Sequence, residues 1–357
     1  MIVETVVLKV NPEKPEPDKI RAAARVIRGG GLVAFPTETV YGLGANALDE
    51  EAVLKIFKAK NRPADNPLIV HIANKENLSV LADRLPEKAE PLISKFWPGP
   101  LTILAVKSEL VPDATTAGLA TVAVRMPSHP VARALINEAG VPIAAPSANL
   151  AGRPSPTTAE HVLKDLSGRV EMVIDGGPVG FGVESTVLDL TSKLPTVLRP
   201  GPVTVEELRM VLGKVEVHPV ANAETPTEAV VAQAPGMKYR HYAPKAEVVL
   251  VEGPTEGIVF KIQELVEKYA GEGKSVGIMA TKETAHRYHA DVVKVVGPRG
   301  NPVAVAKNLF RVLREFDDEA VDVVLAEGLE TAGIGLAIMN RLRKAAGNKI
   351  VRAKPNP

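Results

Sequence analysis

The feature that most restricts what this chain can fold into is an alternation. Short runs rich in Val, Ile and Leu trade places with stretches of helical periodicity along nearly its whole length, with one interruption. Such alternation argues for an α/β architecture, with strands covered by helices, and against an all-β fold. Strands are predicted at 32–35, 68–72, 101–106, 121–125, 141–145, 172–174, 185–190 and 196–199. A helix capped by Asp18 precedes the first of them, with Ile20, Ala23, Ala24 and Ile27 on one face and Gly29, Gly30 and Gly31 ending it. Thr204 and Glu207 make a capping box for a last helix that runs to Leu212. The interruption follows: residues 217–233, VHPVANAETPTEAVVAQ, are small and polar with no amphipathic period and read as a linker. The alternation then resumes, with strands at 247–251, 275–279, 292–296 and 321–326 and helices at 256–269, 281–288, 302–316 and 333–346, a small doubly wound sheet. The expected organisation is therefore a first α/β domain at 1–215, a linker at 216–245 and a second α/β domain at 246–357.

Composition removes several classes of function. With 45% hydrophobic residues in 357, the chain can bury a full core. The absence of cysteine excludes disulfides, thiolate nucleophiles and thiolate zinc sites. A formal charge of +1 leaves no global field to hold a nucleic-acid backbone. The opening segment has an apolar run too short and interrupted for a signal peptide, and no stretch approaches the ~20 apolar residues of a membrane span. A soluble cytoplasmic protein is expected.

Five clusters in the first domain carry the chemistry. FPTETVYGLG runs a buried strand into a loop with Thr37, Thr39 and Tyr41, where a strand end can receive a ligand or the hydroxyls can simply cap a tight turn. KAKNRPADNPLIVH places Lys58, Lys60 and Arg62 ahead of Asn66 and His71. Three cations so close to Pro63 suggest a loop that presents exposed charge to phosphates, the alternative being a solvated helix end. His71 alone reads more readily as a satisfied structural histidine than as a ligand. TVAVRMP puts Thr121 and Arg125 on one face, and an arginine in an apolar strand needs either a ligand anion or an internal carboxylate. APSANLAGRPSP presents Ser147, Asn149 and Ser155 after a strand, without the G-x-S-x-G elbow of a serine hydrolase. DGGPVGFGVESTVLDL, followed by VLRPG, offers a glycine-rich approach to Ser185 and Thr186, but neither a P-loop nor a strand-anchored G-x-G-x-x-G is present.

Together these motifs resemble the threonylcarbamoyl-AMP synthases in their long two-domain form, over nearly the whole chain. The signature pairs K-x-R and S-x-N stand at Lys60 and Arg62 and at Ser147 and Asn149. PTETVYGLG, NPLIVH, APSAN and ESTV match, and so does the linker motif APGMKYRHYAP, which departs only at Ala234. The resemblance implies a YrdC-like twisted open α/β sheet with a concave basic cleft, joined to a Rossmann-like domain. It implies synthesis of threonylcarbamoyl-AMP from ATP, L-threonine and bicarbonate with release of pyrophosphate, Mg²⁺ accompanying the ATP and no protein side chain assigned as a metal ligand. By the same resemblance the catalytic residues are Lys60, Arg62, Ser147 and Asn149. Thr39, His71, Arg125, Ser147 and Ser185 would line a threonine site, and Lys58, Lys60, Arg62, Asn66, Thr121, Ala145, Ser147, Ser155 and Arg199 an ATP site. Lys238, Tyr239, Arg240, His241 and Tyr242 would form a lid. The product would pass to a transferase complex that modifies tRNA to threonylcarbamoyladenosine, with no need for direct tRNA binding and no role for a membrane. Two other readings remain: a protein that binds double-stranded RNA or ribosomes, and a carbamoyltransferase using carbamoyl phosphate, whose relatives carry the cysteine-rich zinc motifs missing here.

Overall fold

A computed structural model describes residues 3–222, 242–347 and 349–355. Among them the chain forms two compact units, the first comprising residues 3–151 and 155–221, the second residues 152–154, Asn222 and the described chain from 242 onward.

The first unit is built on a mixed sheet of twelve strands among the described residues. They are β1 (Val6–Lys9), β2 (Val33–Pro36), β3 (Tyr41–Asn46), β4 (Ile69–His71), β5 (Ala82–Arg84), β6 (Leu101–Lys107), β7 (Thr121–Arg125), β8 (Ile143–Ala144), β9 (Met172–Asp175), β10 (Thr186–Asp189), β11 (Thr196–Arg199) and β12 (Glu216–Val217). Their order is β1-β9-β2-β3-β8-β4-β7-β6-β10-β11-β12, with β5 pairing to β6. The helix Pro17–Arg28 buries Ile20, Ala23, Ala24 and Ile27, the face its periodicity predicts. That face packs with Val131, Leu135 and Ile136 of the helix Pro130–Ala139 over Val33, Phe35 and Ile174 of the sheet. The start of the helix corrects the expected cap. Pro17 occupies the first turn, where its missing N–H costs nothing, and Asp18 lies inside the helix, its charge favourable at that end.

Residues 41–46 differ from the expected loop. They form β3, which pairs with β2 and β8. Glycine lowers strand propensity, so the pattern hid the strand, but here the missing side chain is what lets neighbours close in. A Cβ at Gly44 would stand 2.7 Å from both Ile143 Cγ2 and Phe35 Cε1. Residues 216–222, placed by their composition at the start of the linker, are also ordered: β12 pairs in parallel with β11 and the short helix Pro219–Asn222 follows. The capping box of Thr204 and Glu207 is present at the helix Val205–Leu212.

The second unit holds a parallel sheet of β13 (Glu247–Glu252), β14 (Val276–Thr281), β15 (Val292–Gly297), β16 (Val323–Glu327) and β17 (Ile350–Arg352), in the order β15-β14-β16-β13-β17. Its helices are Thr255–Gly271, Pro302–Glu319 and Gly335–Ala346. The helix expected at 281–288 is only a single 3-10 turn, Ala285–Arg287. The hydroxyls of Thr281 and Thr284 instead donate to the buried carboxylate of Glu327, and Tyr288 Oη joins them at 2.7 Å, which holds this stretch open against helical winding. No helix among the described residues is long and apolar enough to cross a membrane.

Candidate active site

Strand register gathers the chemistry at one end of the large sheet. His71 closes β4 and pairs across with Arg125, which closes β7, and Arg125 pairs with Thr102 near the start of β6. Ser185 immediately precedes β10, the next strand over, and Arg199 closes β11 opposite Val187. One row of strand ends thus carries two arginines, a histidine and two hydroxyl residues, all buried.

Arg125 is the hub. It is 3% exposed, and its Nη1 donates to Thr39 Oγ1 at 3.0 Å and its Nε to Gly99 O at 3.3 Å. Its Nη2 lies 2.7 Å from Glu38 Oε1, an ion pair rather than an aligned hydrogen bond. Of the two readings of a strand arginine, the structure thus holds the internal carboxylate. The loop between β2 and β3 delivers both partners. Thr37 Oγ1 donates to Val40 O at 2.6 Å, which leaves it as acceptor for the Thr39 hydroxyl at 2.8 Å, and Thr39 Oγ1 in turn accepts from Arg125.

His71 is 3% exposed, edge-on to Phe35, with its Nδ1 buried and unpartnered. Burial first, then the adjacent Arg125 charge, push its pKa from 6.5 down to about 3, so the ring is neutral at physiological pH. The unfolded chain takes up a proton below about 6.5 that the folded chain refuses, so this stability is complete above 6.5 and is lost as pH falls towards 3. Denaturant unfolding from pH 7 to 4 should show a steeper loss in the native chain than in His71→Asn; parallel slopes would contradict the buried neutral ring.

The remaining expected residues fall into three local groups. Ser185 Oγ shares a 2.8 Å hydrogen bond with Thr102 Oγ1 and accepts from Arg199 Nη2 at 3.1 Å, while Arg199 Nε donates to Ser185 O at 3.0 Å. Gly201 makes this possible, since a Cβ there would sit 2.3 Å from Thr186 N. Ser155, fully buried, donates to Glu184 Oε1. Lys60 donates through Nζ to the carbonyls of Ser147 and Asn149, and its own carbonyl accepts from Ala151 N at 2.9 Å.

This last group corrects the view of a loop of exposed cations. The helix Glu50–Lys60 runs through Lys58 and Lys60 and ends on Asn61, which takes a left-handed conformation with φ of 50°. Lys58 is exposed, Lys60 is only 2% exposed, and Arg62 is half-buried. Arg62 stacks over Phe57 and donates to Asn66 O at 3.0 Å. The three charges therefore diverge, and Lys60 acts on the S-x-N loop as a clamp. Asn66 is buried with its Oδ1 unpartnered. Thr121 lies at the far end of β7 from Arg125, about 13 Å along the strand. Ala145 N donates to Ile69 O beside β4. Lys238, Tyr239, Arg240 and His241 lie outside the described residues. Tyr242 is buried within the second unit, stacked on Phe310 with ring centroids 5.2 Å apart.

Three contacting residues escaped the sequence reading: Glu38, Thr102 and Glu184. Glu38 had a signal, because a buried arginine requires a counter-ion and PTETV holds a carboxylate between two threonines.

Comparison with known proteins shows the family. The family pattern described as "Telomere recombination" matches residues 25–201, and that described as "Threonylcarbamoyl-AMP synthase, C-terminal domain" matches residues 203–347. A threonylcarbamoyl-AMP synthase of Pyrococcus abyssi is 54% identical over 98% of this chain and 99% of its own length. This chain belongs to the threonylcarbamoyl-AMP synthase family. The synthase of Bacillus subtilis is 50% identical over 94% of each chain. The crystal structure of the P. abyssi protein, Sua5, complexed with L-threonine superposes with a TM-score of 0.93, covering 98% of this chain and all of that one. The synthase family is thus represented here in both halves of its long form.

Proposed function

We propose that this chain joins L-threonine, bicarbonate and ATP into threonylcarbamoyl-AMP and pyrophosphate, and so supplies the group for threonylcarbamoyladenosine formation on tRNA. The observation that carries the reading is the buried Arg125, held between Thr39 and Glu38 in a chain of this family. A threonine carboxylate would replace Glu38 as the partner of Arg125 Nη2, a charge-assisted contact. The displaced Glu38 carboxylate then faces the substrate's amino group, whose positive charge it offsets. Neutral His71 and Ser185 would line the same pocket and supply uncharged contacts.

The chemistry requires no protein nucleophile. The threonine amine forms a bond to the bicarbonate carbon with loss of water, leaving a carbamate. A carbamate oxygen then attacks the α-phosphorus of ATP, and the bond to pyrophosphate breaks. What the protein must supply is positioning and charge neutralisation. Arg62 and Arg199 would meet phosphates, with Asn66, Ser147 and Ser155 as hydrogen-bonding groups. Lys60 acts one step back, fixing the Ser147 and Asn149 carbonyls so that Ser147 Oγ and the following loop keep their place. Mg²⁺ would arrive on the triphosphate and offset its charge. With Glu38 turned to the substrate's amino group and Glu184 engaged with Ser155, the ion's oxygen ligands would come from phosphate and water. The proposal is tested by following isotopically labelled bicarbonate into an adenylate.

A further inference from the structure

The second unit contains a cavity of about 840 Å³ that the chemistry above does not use. It lies at the carboxyl ends of the parallel strands: Glu252 ends β13, Arg299 follows β15, Gly328 follows β16 and Arg352 ends β17. The connection leaving β13 crosses the sheet towards β14, whereas that leaving β16 crosses the opposite way towards β17. Adjacent strands whose connections part in this way open a crevice at their carboxyl ends, where α/β sheets receive ligands.

The lining has the composition of an anion site with an apolar wall. Arg299, Arg343 and Arg352 stand against Glu252 and the exposed Glu330. Arg343 is 5% exposed and grips Glu252 through Nε at 2.7 Å and Nη2 at 3.0 Å. Arg299 donates to Glu327 at 2.8 Å and to Gly328 O at 3.1 Å, yet its buried Nε has no partner among the described residues. The 17-residue helix Thr255–Gly271 starts at this cavity behind Pro254, whose ring carries no hydrogen-bonding group to cap it. Its first N–H groups and the positive end of its dipole remain for a ligand oxygen. Pro254, Pro302 and Leu329 supply apolar surface, and Gly300 leaves open space, since a Cβ there would meet nothing within 4 Å. The volume suits a small organic molecule and far exceeds one phosphate group.

We infer that the second unit binds a phosphorylated small molecule of nucleotide size in this crevice, with phosphate on the arginines and the open helix end. The full chain would be tested by hydrogen–deuterium exchange with millimolar ADP and, separately, inorganic pyrophosphate. The readout is confined to residues 253–257, 299–302 and 328–332, so that binding in the first unit does not register. ADP should slow exchange in all three segments. Pyrophosphate protecting the same segments as well as ADP would place recognition on the phosphates alone, within the same inference. Two substitutions should each weaken the protection by about tenfold. Gly300→Glu puts a negative charge into open space, and Arg352→Ala removes an exposed cation while Arg343 still holds Glu252. No protection by either probe, or protection that survives both substitutions, would overturn the inference.

Discussion

Arg125→Ala is expected to raise the threonine concentration needed for half-maximal turnover by roughly 10- to 100-fold, with a much smaller change in the ATP requirement. The range follows from losing charge-assisted hydrogen bonds to one substrate only. The same change also strips Glu38 of its buried counter-ion, and breaking a buried pair from one side costs about 3–5 kcal/mol. Lost folding and lost binding must therefore be separated. In the double variant Glu38→Gln with Arg125→Ala the buried charge is gone, so much of the stability should return. The threonine requirement should not. Steady-state kinetics in each substrate, with denaturant unfolding of both variants, would check this. An equal rise in both substrate requirements would mean that Arg125 serves the fold and not threonine.

Lys60→Ala should abolish turnover and destabilise the chain by about 3 kcal/mol, because two carbonyls are left without their buried donor. An exposed cation waiting for phosphate would cost at most about 1 kcal/mol on removal. Urea unfolding of Lys60→Ala thus discriminates between a clamp on the S-x-N loop and a free phosphate-binding charge. A near-native midpoint would support the latter and contradict the burial seen here.

The difference between these two views of Lys60 shows what a linear sequence conveys. The strands carrying Arg125 and Arg199 are legible to the residue, since β-branched runs bounded by turn residues leave few choices. The apolar face of the helix Pro17–Arg28 is equally legible from its period. Strand β3 was hidden because its glycines serve packing against Phe35 and Ile143, a tertiary demand that overrides propensity. The fate of Lys60 was hidden for a related reason. Its charge suggested solvent or phosphate, whereas its partners are carbonyls 87 and 89 residues further along the chain. Arg125 was legible as a buried charge that needed an anion, but its choice of Glu38 depends on the β2–β3 turn lying beside β7. The stretch 281–288 failed in the same way, because its threonines bind Glu327 from another strand.

The central claim is that one chain couples threonine, bicarbonate and ATP. Its most direct test is mass spectrometry of the purified full-length protein incubated with ATP, Mg²⁺, threonine and isotopically labelled bicarbonate. The account predicts threonylcarbamoyl-AMP carrying the label in its carbamoyl carbon, with one pyrophosphate released for each molecule formed and none formed when threonine is omitted. Folded protein that yields no labelled adenylate, or that releases pyrophosphate at the same rate without threonine, would contradict it.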